Sequence, residues 1–158
     1  MTGLQDLWFA IAQAQAAQAR CLDDDRLEEW PDFFADDCLY RVTSADNLRE
    51  GYEASLIFLN SKGMVRDRVS ALRTANIYER QAYRHVLGQP SILRVEGDTV
   101  SSEASFMIAR IMRDGKTDLF ATGRYLDTWR RKGEGVELVA RVVVCDSSRI
   151  DTLLALPL

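Results

Sequence analysis

The sequence VSSEASFMIARIMRDGKTDLFATGRYLDTWRRKGEGVELVARVVVC, residues 100–145, determines the fold. Apolar and polar side chains alternate along most of this stretch, which indicates β-strands. Asp114 and Gly115 mark a hairpin turn, and residues 132–135 mark a second turn that contains glycine. The stretch therefore predicts three consecutive antiparallel strands over residues 100–112, 117–131 and 136–145. Because these strands exceed the usual ~5–6 residues, the sheet should be strongly bent.

Both faces of this predicted sheet are apolar. On the strand over residues 100–112, one face carries Ala104, Phe106 and Ile108, and the other carries Met107, Ala109 and Ile111. An antiparallel sheet normally leaves one face to solvent. Helices of the same chain can cover one apolar face, and the second face suggests contact with a partner chain.

The first half of the chain is predicted to be mostly helical. The patterns indicate helices from Thr2 to about Leu22, from Asp25 through Trp30, over residues 53–62, and along Val65, Val69 and Leu72. A first strand is expected over residues 38–43, and a further strand over residues 83–95 precedes the three long ones. With no repeat or linker in the sequence, residues 1–158 are interpreted as one α+β domain, with N-terminal helices packed on a long curved antiparallel sheet.

The charge and hydrophobic pattern of the chain argue against several kinds of binding partner and cellular location. The net charge of −4 argues against nucleic acid or an anionic membrane surface as a partner, because both are bound through basic patches. No apolar run approaches the length that spans a bilayer. The start, MTGLQDLWF, lacks the basic and apolar regions of a signal peptide. A cytoplasmic location is therefore expected.

The chain has few histidine and cysteine residues that could bind a metal ion. The chain has one histidine, His85, and three widely spaced cysteines, Cys21, Cys38 and Cys145. No C-x-x-C pair is present, so reduced and mostly buried thiols are expected. We predict no metal or cofactor bound to this chain, because most non-thiolate iron, zinc and copper sites need two or three imidazoles.

His85 has two interpretations. It is either a general base, helped by Tyr40, Asp36 or Asp37, or a structural residue fixed by a backbone or carboxylate hydrogen bond. The arginines near it also allow two interpretations. Arg66, Arg68, Arg80 and Arg84 are either a carboxylate-binding site or members of ion pairs that fix a loop or a neighbouring subunit. The apolar end of the chain, residues 153–158, is expected to dock on its own domain or on a neighbour.

Three segments carry a resemblance to a known family: WPDFFADDCLYRVTSADN (residues 30–47), DRVSALRTANIYERQAYRHVLGQPSI (residues 67–92) and CDSSRIDTLLALPL (residues 145–158). They resemble the small, or beta, subunits of Rieske-type aromatic-ring-hydroxylating dioxygenases. The resemblance is colinear and covers nearly the whole chain. It implies the cone-shaped NTF2-like (cystatin-like) fold, a fold that hosts both enzymes and structural subunits.

The resemblance also implies a function. It implies a non-catalytic beta subunit of an oxygenase that uses O₂ and NADH-derived electrons to convert an aromatic carboxylate, with terephthalate favoured, to a cis-dihydrodiol. The Rieske [2Fe–2S] cluster and mononuclear Fe(II) are expected in a large alpha subunit, within an α3β3 hexamer whose beta subunits also self-associate. Interface positions are expected at Arg66, Arg68, Arg84, His85, Leu156 and Leu158. The alternatives are a salicylate or benzoate hydroxylase subunit, and a stand-alone NTF2-like dehydratase or isomerase that uses His85.

Overall fold

A computed structural model describes residues 3–74, 80–149 and 156–158. In chain order its elements are α1 (Leu4–Asp23), a 3-10 helix (Leu27–Phe33), β1 (Phe34–Ser44), α2 (Ala45–Arg49), β2 (Ile57–Leu59), α3 (Lys62–Thr74), β3 (Gln81–Leu87), β4 (Ser91–Glu96), β5 (Thr99–Met112), β6 (Thr117–Lys132) and β7 (Gly135–Cys145). None of these helices is long and apolar enough to cross a membrane.

The strands form a mixed sheet in the order β2-β1-β7-β6-β5-β3. Strands β5, β6 and β7 are joined by tight turns and pair antiparallel. Strand β1 pairs parallel with β7, so the early part of the chain lies beside the last strand. Strand β5 pairs with β3 over residues 106–112 and with β4 over residues 99–103, and both partners lie along the same edge.

Irregular pairing bends the long strands. The ladder shifts between Ile108 and Ala109 on β5 and between Thr128 and Trp129 on β6. Such bulges increase the local twist and curve the sheet. Gly123, on β6, lies so close to β7 that a Cβ there would overlap the Val144 carbonyl. A residue without a side chain is therefore required at this close approach.

The core lies between α1 and the inner face of the sheet. Five buried residues of α1 recur at helical spacing, and two of them are glutamines: Leu7, Ile11, Gln15, Gln18 and Leu22. The 3-10 helix places Trp30 edge-on against Phe34 and Tyr40, with ring centroids 5.3 and 5.1 Å away. Burial of these large rings is a major stabilising contribution to the fold.

The α+β prediction and the three long strands are confirmed. The helix predicted over residues 53–62 is wrong, because residues 57–59 form strand β2 against β1. The single strand predicted over residues 83–95 is two strands, separated at Gly88–Pro90. Helix α1 begins after Gly3 without a side-chain cap, and Thr2, the predicted cap, lies outside the described residues.

Candidate functional site

The outer sheet face is apolar and open. We use this name for the exposed surface carried by Val86 on β3, Met107 on β5 and Leu119 on β6, whose exposures are 53%, 46% and 64%. Val86 pairs with Met107, and Leu119 lies beside Ala109 on the same three strands. Phe106 and Ile108 point to the opposite face and are buried beneath the helices. The predicted second apolar face is therefore present, and no described segment of the chain covers it.

A buried ion pair lies between α1 and the sheet. Arg141 donates two hydrogen bonds of 2.8 Å to the Asp127 carboxylate, and Gln15 donates a third of 3.1 Å. The guanidinium also lies 3.9 Å from the centre of the Tyr125 ring. Burial alone would lower the pKa of Arg141, but the Asp127 carboxylate outweighs it and the pKa is raised. The pair therefore stays charged in the buried layer between α1 and the sheet.

His85 is held by Asp23 at the end of α1. The His85 backbone N–H donates to the Asp23 carboxylate at 3.0 Å, and the ring Nδ1 lies 2.6 Å from the other carboxylate oxygen. A carboxylate accepts hydrogen bonds, so Nδ1 carries the ring hydrogen in this contact. Strand β3 ends the sheet, and exposed N–H groups on such an edge invite unwanted pairing. Asp23 therefore holds the imidazole ring in place and also accepts a hydrogen bond from one backbone N–H at the edge of the sheet.

The other ring nitrogen of His85, Nε2, lies away from the surface cavities that the described residues form. Nε2 is buried without a hydrogen-bond partner among the described residues. A general base needs its free nitrogen within reach of the substrate. Four surface cavities formed by described residues, the largest about 660 Å³, are lined by other side chains. The geometry matches the structural interpretation of His85, with Asp23 as the carboxylate.

The structure does not bring the predicted helpers to His85. The Tyr40 hydroxyl donates to the Leu158 carbonyl at 3.0 Å and accepts from the Leu158 N–H at 3.1 Å. Burial raises the pKa of Tyr40 well above its ordinary value. Asp37 is on the surface, where the Arg130 hydrogen bond lowers its pKa, and Asp36 faces Lys62 at 3.8 Å. Among the described residues, no hydrogen bond or ion pair joins His85 to Tyr40, Asp36 or Asp37, and their joint catalytic role stays a prediction.

The predicted interface residues lie in different environments. Arg66 and Arg84 are exposed, and the Arg84 guanidinium Nη1 lies 3.9 Å from the Asp23 carboxylate oxygen Oδ2. Arg68 is half-buried. Leu156 and Leu158 are 7% and 1% exposed and belong to the core of this chain. Their side chains pack within this chain, which is one of the two expectations for the apolar chain end, and their role at an interface stays a prediction.

The three thiols are free and buried. Burial raises the pKa of Cys21 to about 11 and that of Cys145 to about 12. Among the described residues, no group of three or more His, Cys, Asp and Glu side chains is placed to hold a metal ion. The spacing of the cysteines predicted reduced, mostly buried thiols. No local sequence pattern predicted the Asp23–His85 and Asp127–Arg141 pairs.

Sequence comparison links the chain to oxygenase subunits. Residues 17–152 match the family model described as ring hydroxylating beta subunit. The chain is 49% identical to the terephthalate 1,2-dioxygenase, terminal oxygenase component subunit beta 1, of Comamonas sp., over 94% of this chain and 96% of that protein. It is 34% identical to the anthranilate 1,2-dioxygenase small subunit of Burkholderia cepacia, over 96% and 94% of the two chains.

Structural comparison agrees. A crystal structure of a Novosphingobium aromaticivorans chain, proposed to be the beta subunit of an aromatic-ring-hydroxylating dioxygenase, superposes with a TM-score of 0.90 and 44% identity, covering 98% of each chain. An NTF2-like protein with a cystatin-like fold from the same genus and species gives a TM-score of 0.67 at 18% identity, covering 92% of this chain and 86% of that one. The second likeness concerns the fold alone and confirms the NTF2-like cone.

Proposed function

The chain belongs to the ring-hydroxylating beta-subunit family, and from this premise we propose that it serves an oxygenase that dihydroxylates an aromatic carboxylate. Terephthalate is the substrate we favour, and the product is a cis-dihydrodiol formed with O₂ and NADH-derived electrons. The observation that carries this proposal is the 49% identity to a terephthalate 1,2-dioxygenase subunit over 94% of the chain. The second relative is named for anthranilate, which is also an aromatic carboxylate.

We propose that this subunit is not catalytic. A Rieske cluster needs two cysteine and two histidine ligands, and a mononuclear iron site of the facial-triad type needs two histidines and a carboxylate. One histidine, held by Asp23, and three buried thiols do not fit either group. Both metal centres therefore belong to the large alpha subunit, and this chain has no step of the oxygen chemistry.

Its role in this proposal is assembly. The outer sheet face is the apolar surface that a partner would cover, because contiguous exposed apolar patches mark interaction sites. Arg66, Arg68 and Arg84 supply charged groups that can fix the orientation of a partner. Residues 1–158 act as one domain in a cytoplasmic α3β3 hexamer, with contacts both to the alpha subunit and between beta subunits.

Co-expression with the large subunit encoded beside this chain tests the proposal. The expected product is a brown complex with a Rieske absorption spectrum that oxidises terephthalate when a reductase and NADH are supplied. Salicylate and benzoate, assayed in parallel, test the alternative substrates. A colourless homo-oligomer of this chain that is catalytically active without the large subunit would refute it.

A further inference from the structure

Two arginines flank one end of the β3–β5 ladder. Gln81 pairs with Met112 as the last residues of that ladder. Arg80 directly precedes Gln81, and Arg113 directly follows Met112 in the turn after β5. Both are exposed and line the same groove, whose volume is about 250 Å³. The end of the ladder therefore presents two guanidinium groups to one space.

Among the residues that the structure describes, no carboxylate forms an ion pair with Arg80 or Arg113. Three described acidic residues near the groove have other partners. Asp25 pairs with Arg73, Asp118 pairs with Lys116, and Asp114 accepts a hydrogen bond from the Lys116 backbone N–H. Two positive charges that share one groove repel each other. An anion between the two guanidinium groups would remove that repulsion.

The groove is continuous with the outer sheet face. Ala82 pairs with Ile111 next to the two arginines, and Arg84 pairs with Ala109 two residues further along. Beyond them lie Val86 and Met107 of the outer sheet face. A partner that covers the apolar surface would therefore reach the two arginines with an adjoining segment.

We propose that Arg80 and Arg113 form the receptor for an Asp or Glu side chain of the large subunit. This inference rests on the proposed function. Guanidinium forks match a carboxylate in a bidentate manner. The groove is smaller than the roughly 300–1,000 Å³ of typical small-molecule pockets, which favours a protein side chain over the free aromatic acid.

Charge reversal at both positions tests the inference. The variant R80E/R113E, co-expressed with the large subunit, should bind it about tenfold or more weakly than the wild type, measured by titration of the purified subunits. The matched control is R20E/R149E, which makes the same change in net charge at two other exposed arginines. The control should assemble as the wild type does. R80K/R113K, which keeps the charge but loses the fork, should be intermediate.

The single variant R80E gives an independent readout. It replaces one of the two positive charges at the groove with a negative one, which turns repulsion into attraction, so the isolated chain should melt about 1–3 °C higher. The same variant should still bind the large subunit more weakly than the wild type. A purely structural role for the arginines would not give opposite signs in these two measurements.

The outcomes separate this inference from the proposed function. If the wild-type chain forms no complex with the large subunit, the proposed function fails. If the wild-type complex forms and R80E/R113E assembles equally well, the inference alone is overturned. The inference is also overturned if terephthalate at millimolar concentration binds the isolated wild-type chain at these arginines while R80E/R113E assembles normally, because the groove would then be a small-carboxylate site.

Discussion

Replacing Asp127 with leucine should destabilise this chain more than most single substitutions. Leucine has a similar volume but leaves Arg141 buried, with a side chain that is 3% exposed and has lost its carboxylate partner. Removing one member of a buried ion pair typically costs about 3–5 kcal/mol. Since domains of this size have about 5–15 kcal/mol of total stability, the variant should unfold at a much lower urea concentration than the wild type.

A double variant distinguishes a lost charge partner from lost packing. D127L/R141M removes both charges, and such replacements are often near neutral. Here the double variant also loses the contact between Arg141 and the Tyr125 ring and leaves Gln15 without its acceptor. It should nevertheless recover about 2 kcal/mol or more of the loss in D127L.

Urea denaturation followed by tryptophan fluorescence measures these free energies of unfolding. The control is E103A, which removes the exposed ion pair between Glu103 and Arg124, and it should cost at most about 1 kcal/mol. The reasoning is refuted if D127L costs no more than E103A. It is also refuted if the double variant is as unstable as the sum of D127L and R141M.

Four further variants or conditions have defined outcomes. H85A should lose about 1–3 kcal/mol of folding stability and leave the kcat of the assembled oxygenase unchanged; a hundredfold fall in kcat with an intact complex would contradict the structural role. The buried thiols should not react with Ellman's reagent at pH 8 until the chain is unfolded in urea. Because the pKa of Cys145 is raised to about 12 in the folded chain, its thiol loses its proton at a lower pH in the unfolded chain. The free energy of unfolding should therefore fall as pH rises from about 9 towards 12. A free energy of unfolding that does not change over this pH range would contradict the burial argument. M107K should weaken assembly on co-purification while L4K, a matched change on α1, does not; equal assembly of both would exclude the outer sheet face as the contact.

The sequence was sufficient for the parts of the fold that local pattern controls. The long strands were predicted because alternation and glycine-containing turns act within a few residues of each other. The division of β3 from β4 also had a local signal, the turn residues at Gly88–Pro90. Strand β2 had none, because its three residues are extended only through their pairing with β1.

The polar contacts inside the fold could not be predicted from local sequence pattern. Asp23 and His85 are separated by 62 residues, and only the packing of α1 against β3 brings them together. The helpers chosen for His85 were close to one another in sequence, whereas the real partner is at the end of another element. The resemblance to the beta-subunit family identified the family correctly, whereas the catalytic constellation around His85 stays a prediction.

The parallel pairing of β1 with β7 has a consequence for biosynthesis. Strand β1 is made early, but its neighbour β7 is the last strand of the sheet to leave the ribosome. Pairings between distant segments form slowly, whereas hairpins form within microseconds. The β5–β6 hairpin, which carries Met107 and Leu119, can therefore fold before the sheet is complete. A nascent chain would therefore expose part of its apolar outer surface before β1 has paired with β7. Early binding to a partner subunit or a chaperone would protect that surface from aggregation.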